Sequence, residues 1–120
     1  MIPRPNPDRF RLRRTMMFMN AQKPGLIKDA YIYGCDSIML DLEDAVAENQ
    51  KDAARFSLYH ALKTIDYGDT EVIVRINGLD TPHWREDIRV CVAGGADGNR
   101  NAKCESAQDV HPVEKAVEQA

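Results

Sequence analysis

Residues 71–78 have the sequence EVIVRING, and the first six of them form the clearest β-strand pattern in the chain. Four of these six residues are β-branched, which favours the pleated backbone of a strand. The pattern ends at the pair Asn77-Gly78. Arg75 and Asn77 are therefore predicted to lie at the carboxyl end of this strand.

The preceding strand is predicted from residues 37–44, SIMLDLED, where the segment from Ser37 to Asp41 is apolar on both faces and ends in an acid. Burial of both faces is what a parallel sheet covered by helices requires. Between the two strands, a helix is predicted from about residue 49 to residue 63, because apolar residues recur there at the spacing of an amphipathic helix. These residues are Ala54, Leu58, Ala61 and Leu62.

The alternation continues upstream, where the run Thr15–Met19 predicts a first strand and Leu26–Tyr33 a short helix. Downstream of the EVIVRING strand, Thr81 is a candidate N-cap with Pro82 as the first helical residue. The buried side of that helix is predicted to consist of Ile88, Cys91 and Val92.

The last quarter of the chain predicts one more strand and one more helix. The strand is expected within residues 96–103, after the pair Gly94-Gly95 has ended the preceding helix. The helix is expected to start at Ser106, because Asp109 three residues later resembles the second member of a capping box.

Strands and helices thus alternate four times, which indicates an α/β fold with parallel strands. The pattern fits either an open doubly wound sheet or part of a (β/α)₈ barrel, and periodicity alone does not separate them. Three prolines within the first eight residues favour an extended tail over residues 1–10. Residues 11–120 are then expected to form one domain of about four βα units.

Composition excludes several classes of protein. The net charge of −3 argues against a nucleic-acid binder, although Arg4, Arg9, Arg11, Arg13 and Arg14 form either a solvated arm or a contact for an acidic partner. No apolar run of about 18 residues is present, so no membrane span is predicted. Three cysteines without C-x-x-C spacing suit a reducing compartment, and the cytoplasm is the expected location.

Ligands of both candidate architectures bind at the carboxyl ends of the strands. Asp41, Glu43 and Asp44 follow the second strand, and Arg75 and Asn77 follow the third. The fourth strand contributes Arg100 and Lys103. Acids that face cations predict a site for a carboxylate substrate and a divalent metal such as Mg²⁺ or Ca²⁺. The simpler alternative is that the acids cap a helix and that Arg75 forms a structural ion pair with Asp41 or Glu43.

Three segments carry a resemblance to a known family. Residues 13–18, RRTMMF, residues 37–46, SIMLDLEDAV, and residues 73–80, IVRINGLD, are similar to the citrate lyase β-subunit family. More broadly, they resemble the HpcH/HpaI group of lyases and aldolases. The D-L-E-D-A-V and V-R-I-N segments together are quite specific, and the resemblance extends from about Arg11 to Ala120.

The resemblance implies a (β/α)₈ barrel that cleaves a citryl thioester, held on an acyl carrier protein or CoA, into oxaloacetate and an acetyl thioester with the help of Mg²⁺. It implies that Arg75 holds the substrate carboxylate and that Asp41, Glu43 and Asp44 lie beside the metal. On this basis Arg75, Asp41 and Asp44 are the candidate catalytic residues. Glu43 and Asn77 are candidates for substrate binding together with Arg75. Other citrate lyase subunits and an oligomer are the implied partners.

The chain also departs from the family pattern. The family's metal-ligating acids lie on the fifth and sixth strands, so no metal ligand is expected before Ala120, and 120 residues are about half of a barrel of about 250 residues. Asn99 and Asn101 stand where the family has apolar residues, and Pro112 is expected to interrupt the last helix or to restart it. Two alternatives therefore remain open, a non-catalytic fragment or assembly partner and a malyl-CoA-type lyase. The unpaired edges of half a barrel also favour self-association.

Overall fold

A computed structural model describes residues 14–20, 34–102, 104 and 106–120. The strands are β1 (Met16–Asn20), β2 (Ser37–Asp41), β3 (Glu71–Arg75) and β4 (Gly98–Arg100). The helices are α1 (Lys51–Thr64), α2 (Trp84–Gly94) and α3 (Ala107–Gln119), and a 3₁₀ turn over Glu48–Gln50 precedes α1. The predicted tail, the predicted helix over Leu26–Tyr33 and the side chain of Lys103 lie outside the described residues.

The four described strands form one parallel sheet in the order β1-β2-β3-β4. Each strand is added beside its predecessor on the same side, whereas a doubly wound sheet reverses its strand order at a switch point. Consecutive order is the arrangement of strands in the wall of a barrel. The prediction of an α/β fold with parallel strands is confirmed. The consecutive order of the strands favours the partial barrel over the doubly wound sheet.

The register of the strands separates the two faces of the sheet. Ile38, Leu40, Val72 and Val74 are fully buried and pack in one core with the apolar residues of the helices. The opposite face carries Met39 and Ile73 in the middle of the sheet. At the carboxyl end of that opposite face, the register aligns one polar residue from each strand, namely Asn20, Asp41, Arg75 and Arg100.

Helix α1 confirms the stripe that its sequence predicts. Ala54, Leu58, Ala61 and Leu62 are all buried against the sheet. Lys51 is buried in the same row, which the sequence analysis did not predict. The helix therefore places one positive charge in its otherwise apolar face.

The predicted start of α2 is wrong by two residues. The helix begins at Trp84, with His83 at the N-cap position. Thr81 instead closes the preceding turn, because its hydroxyl and its backbone N–H both donate to the carbonyl oxygen of Gly78, at 2.7 and 3.0 Å. Of the described backbone N–H groups, the Thr81 hydroxyl oxygen accepts only that of His83, at 3.4 Å, so it reaches the N-cap residue and not the helical N–H groups that follow.

The predicted buried side of α2 is right for two residues and wrong for one. Ile88 and Cys91 are buried, whereas Val92 is exposed. Asp87 is fully buried instead. It shares one face with Trp84 and Cys91, at the i, i+3, i+7 spacing of a helix.

Helix α3 starts after Ser106, as predicted, and the Ser106 backbone N–H donates to the Asp109 carboxylate at 3.2 Å. Pro112 neither interrupts nor restarts this helix, which continues from Ala107 to Gln119. A proline inside a helix lacks the N–H that would donate one turn back, and its ring crowds the carbonyl there, at a cost of about 3 kcal/mol. The other hydrogen bonds of α3 keep the helix continuous through Pro112. The predicted interruption is therefore wrong, and the helix lacks one backbone hydrogen bond there.

Strand β4 contains a polar defect on its helix-facing side. Asn99 pairs with the buried Val74, and its Oδ1 atom is buried without a hydrogen-bond partner among the described residues. Asn101, which was expected to share that face of the strand, lies just beyond its end. The structure thus supports the prediction that Asn99 lowers the stability of the fold. It does not support the same prediction for Asn101.

Replacing Asn99 with valine is expected to stabilise the chain. Because an unpaired buried carbonyl costs about 1–3 kcal/mol, the Asn99→Val variant should raise the free energy of unfolding by an amount in that range. Urea denaturation would measure the change, with Asn101→Val as a control whose effect should stay within about 0.5 kcal/mol. A destabilised Asn99→Val chain would show that the oxygen has a partner.

The amino ends of β1 and β2 are tied together by Asp36. Its carboxylate accepts hydrogen bonds from Nε and Nη2 of Arg14, at 3.0 and 3.1 Å, and from the Arg14 backbone N–H at 2.8 Å. These hydrogen bonds, those of the Arg14 side chain above all, lower the pKa of Asp36 from 3.8 to about 2.

This depressed pKa predicts a specific loss of stability in acid. A carboxyl group whose pKa is lower in the folded state stabilises the fold above its unfolded pKa and loses that effect as the pH falls through its folded pKa. Wild type should therefore lose stability relative to the Asp36→Asn variant between about pH 4 and pH 2. Thermal unfolding of both proteins at several pH values would test this. A constant difference between them across that range would contradict it.

Candidate functional site

The residues predicted for the site lie together at the carboxyl end of the sheet. Asp41 is the last residue of β2, and it pairs in register with Arg75, the last residue of β3. Arg75 in turn pairs with Arg100, the last residue of β4. We call this end of the sheet, with the loops that follow β2 and β3, the rim.

Arg75 and Asp41 form a bidentate ion pair. Arg75 Nε lies 2.9 Å from Asp41 Oδ1, and Arg75 Nη2 lies 2.6 Å from Asp41 Oδ2. The same carboxylate accepts the backbone N–H groups of Glu43 at 2.8 Å and Ala45 at 3.1 Å. Burial alone would raise the pKa of Asp41, but these four hydrogen bonds outweigh it and lower that pKa. Asp41 is therefore a charged carboxylate whose bonding capacity is filled.

Glu43 and Asp44 occupy different environments in the loop after β2. Glu43 is buried, and its Oε1 lies 3.7 Å from Arg75 Nε. Asp44 is exposed. The Asp41 hydrogen bond raises the pKa of Arg75 most, and the negative charges of Asp41, Glu43 and Asp44 raise it further. All three predicted acids thus act electrostatically on the same guanidinium group.

The other side of the rim is formed by an aromatic ring and a second arginine. Phe18 of β1 is exposed, and its ring centre lies 5.8 Å from Arg75 Cζ and 5.6 Å from Arg100 Cζ. These distances are within the range of cation–π attraction. Among the described residues, Arg100 forms no ion pair with a carboxylate.

Asn77 turns away from the predicted substrate side. Its side-chain nitrogen donates to Asp87 Oδ2 at 2.6 Å, and its backbone N–H donates to the same oxygen at 2.9 Å. The amide nitrogen is therefore committed to a buried carboxylate. Substrate binding by Asn77 remains a prediction that would have to use its other amide atom or a rearrangement.

Sequence reasoning missed three charged residues behind the rim, namely the buried Lys51 and Asp87 and the partly buried Arg55. Lys51 Nζ donates to the carbonyl oxygens of Leu42 and Glu43, and Arg55 donates to Asp87. A usable signal existed for two of them. Lys51 and Asp87 both stand at apolar-stripe positions of their helices, and a charge at such a position is buried only when it is paired.

The described residues do not by themselves fit a magnesium site. The Asp41 carboxylate already accepts four hydrogen bonds. In the parts of the chain that the structure describes, no group of three or more His, Cys, Asp or Glu side chains is arranged to hold a metal ion. What the rim offers chemically is a fixed guanidinium beside a second arginine, an arrangement suited to anionic substrates.

No helix among the described residues has both the length and the apolar character that crossing a bilayer requires.

Comparison with known proteins gives a family match over most of the chain. Over residues 14–120 the chain matches the family model described as HpcH/HpaI aldolase/citrate lyase. It is 52% identical over 110 residues to citrate lyase subunit beta of Leuconostoc mesenteroides subsp. cremoris, covering 92% of this chain and 36% of that protein. It is 39% identical over 82 residues to an L-malyl-CoA/beta-methylmalyl-CoA lyase of Cereibacter sphaeroides, covering 68% of this chain and 26% of that protein.

A solved structure shows the same fold. The protein CitE of Mycobacterium tuberculosis, in complex with magnesium, acetoacetate and coenzyme A, superposes with a TM-score of 0.70 at 31% identity. The match covers 85% of this chain and 38% of that one. The chain thus spans little more than a third of the length of the citrate lyase relatives that it matches. The family match covers all the described residues, and the four strands are parallel and in consecutive order. The chain belongs to the HpcH/HpaI aldolase/citrate lyase family.

Proposed function

We propose that this chain supplies the substrate-anchoring wall of a citryl thioester lyase, an enzyme that releases oxaloacetate from a citryl thioester. The observation that carries the proposal is the Asp41–Arg75 pair at the rim. Asp41 uses the Nε and Nη2 side of the guanidinium. None of the hydrogen bonds among the described residues uses Nη1 of Arg75, so one edge of the fork remains available for a substrate carboxylate.

The proposed reaction is a retro-Claisen cleavage. The hydroxyl group of the citryl unit loses its proton, and its C–O bond becomes the keto group of oxaloacetate. The adjacent carbon–carbon bond breaks, and its electron pair passes to the thioester as an enolate. Protonation of that carbon gives the acetyl thioester. Arg75 would hold the carboxylate beside the forming keto group, which fixes the reacting bond relative to the rim.

The other rim residues have distinct proposed roles. Asp41 orients Arg75 through two charge-assisted hydrogen bonds and therefore acts through it. Glu43 and Asp44 add negative charge beside the guanidinium, and we propose the exposed Asp44 as the catalytic acid among them. We propose Mg²⁺ as the cofactor of the complete enzyme, as in the CitE complex, and assign none of its ligands to the described residues.

The partners of the proposed enzyme follow from the same family. The thioester carrier is CoA, which the solved CitE complex contains, or an acyl carrier protein. Other citrate lyase subunits are proposed partners, in an oligomeric and cytoplasmic enzyme. A malyl-CoA-type lyase is the second candidate, and the observation in its favour is the 39% identity to such an enzyme.

The test is an assay of oxaloacetate release from citryl-CoA in the presence of Mg²⁺. The chain would be assayed alone and together with the part of the Leuconostoc protein that lies outside the matched region. Release only in the mixture would support the proposal, and release by the chain alone would show that it contains the metal ligands itself. Cleavage of malyl-CoA but not of citryl-CoA would favour the second candidate. No cleavage of either would support a non-catalytic role.

A further inference from the structure

A buried cation, Lys51, and a partly buried one, Arg55, lie one turn apart at the start of helix α1. Lys51 is only 6% exposed, and its ammonium group donates to the carbonyl oxygens of Leu42 at 2.9 Å and Glu43 at 2.7 Å. These two carbonyls belong to the loop that follows β2. A buried ammonium group is stable only when its protons are accepted, so Lys51 fixes the backbone of that loop from behind.

Arg55 acts on the neighbouring loop through one intermediate residue. Arg55 Nη1 donates to Asp87 Oδ1 at 2.9 Å. The other oxygen of Asp87 accepts both the backbone N–H and the side-chain nitrogen of Asn77. Asp87 is fully buried, so water does not compete for these bonds. The chain of contacts therefore ties α1 to the loop that follows β3, two residues beyond Arg75.

We infer that Lys51 and Arg55 are positioning residues. Through them, α1 fixes the two rim loops relative to each other, so that Asp41 and Arg75 stay within hydrogen-bond distance. Residues four apart on a helix lie on the same side at a fixed spacing, so a single rigid element controls both loops. None of the hydrogen bonds among the described residues joins Lys51 to Asp41 or Arg75. The effect of Lys51 on the ion pair therefore passes through the loop backbone. Catalytic sites require placement within about 0.5 Å, which such rear supports provide.

The inference rests on the proposed function only in assuming that the rim binds substrate. Its test does not require catalytic activity. Hydrogen exchange would be measured by NMR on the whole 120-residue chain. The reporters are the Arg75 Nε–H and the backbone amides of Glu43 and Ala45, all of which donate to Asp41. Lys63→Met is the matched control, because Lys63 lies in the last turn of the same helix.

In the Lys51→Met variant, exchange of the three reporters should accelerate about tenfold, because the loop opens locally while the sheet remains closed. The amides of Val72 and Val74 in β3 should keep their rates. Lys51→Arg should restore most of the protection, since a guanidinium can also donate to two carbonyls. Lys63→Met should change none of the reporters.

Two results would overturn the inference, namely unchanged reporters in Lys51→Met or a uniform acceleration that includes β3. If Lys51→Met does not fold, the decisive variant is Arg55→Lys, which keeps the charge but loses the planar fork. Its expected result is faster exchange at the Asn77 amide, and an unchanged rate there would overturn the inference. Titration with oxaloacetate, observed at the Arg75 Nε–H of wild type, tests the proposed function separately. Absence of binding would count against the lyase proposal and leave the positioning role standing.

Discussion

Replacement of Asp87 by leucine is expected to lower the free energy of unfolding by about 3–5 kcal/mol, because it removes the buried partner of the Arg55 guanidinium and leaves only the exposed Asp52 beside it. Arg55 is only 11% exposed, and Asp87 is its fully buried partner. The same change removes the acceptor of the Asn77 backbone N–H and side-chain nitrogen. Each unsatisfied donor adds a penalty, so the effect exceeds that of a typical surface substitution.

Urea denaturation of Asp87→Leu would measure the loss, and the chain offers a matched control. Asp52 also contacts the Arg55 guanidinium, but its side chain is 95% exposed. Asp52→Ala should therefore cost less than about 1 kcal/mol. The double variant Arg55→Met/Asp87→Leu should recover part of the stability, because it also removes the charge that has lost its buried partner. Equal losses in Asp52→Ala and Asp87→Leu would contradict the role of burial.

The strands and the rim could be predicted because their signals are local. The β-branched run 71–76 and the apolar run from Ser37 to Asp41 each specify a strand within one window of sequence. Parallel pairing then brings Asp41 and Arg75 to the same end of the sheet, which the register confirms. The strand order could not be predicted in the same way, because pairing depends on contacts between residues far apart in the chain.

The errors at α2 have a different physical origin. Thr81 closes the turn with Gly78 through its hydroxyl and its backbone N–H, and the helix begins only after His83. Asp87 was not among the residues predicted for the buried side of α2, although it lies at a core position. Its burial depends on Arg55 and Asn77, which are distant in sequence. Helical periodicity predicts which positions are buried, but it does not predict the distant partners that stabilise a buried charge.

The Arg75→Lys variant is expected to reduce kcat/KM for citryl-CoA about 100-fold or more in the complemented assay, with a matching loss of oxaloacetate binding. A lysine retains the positive charge but cannot bind Asp41 and a substrate carboxylate through two separate edges of one planar group. The bidentate contact with Asp41, at 2.9 and 2.6 Å, fixes the direction in which the guanidinium presents its remaining N–H groups. Orientation is therefore lost even where charge is kept.

Arg100→Lys is the matched control, because Arg100 lies beside Arg75 in register and faces the same Phe18 ring. If the rim needed only positive charge, both variants would retain activity. If it needed the fork that Asp41 orients, only Arg75→Lys would lose it, and thermal unfolding measured in parallel would show that the fold is kept. Retention of activity by Arg75→Lys would remove the central residue from the proposed mechanism and would make the Asp41–Arg75 pair a structural ion pair.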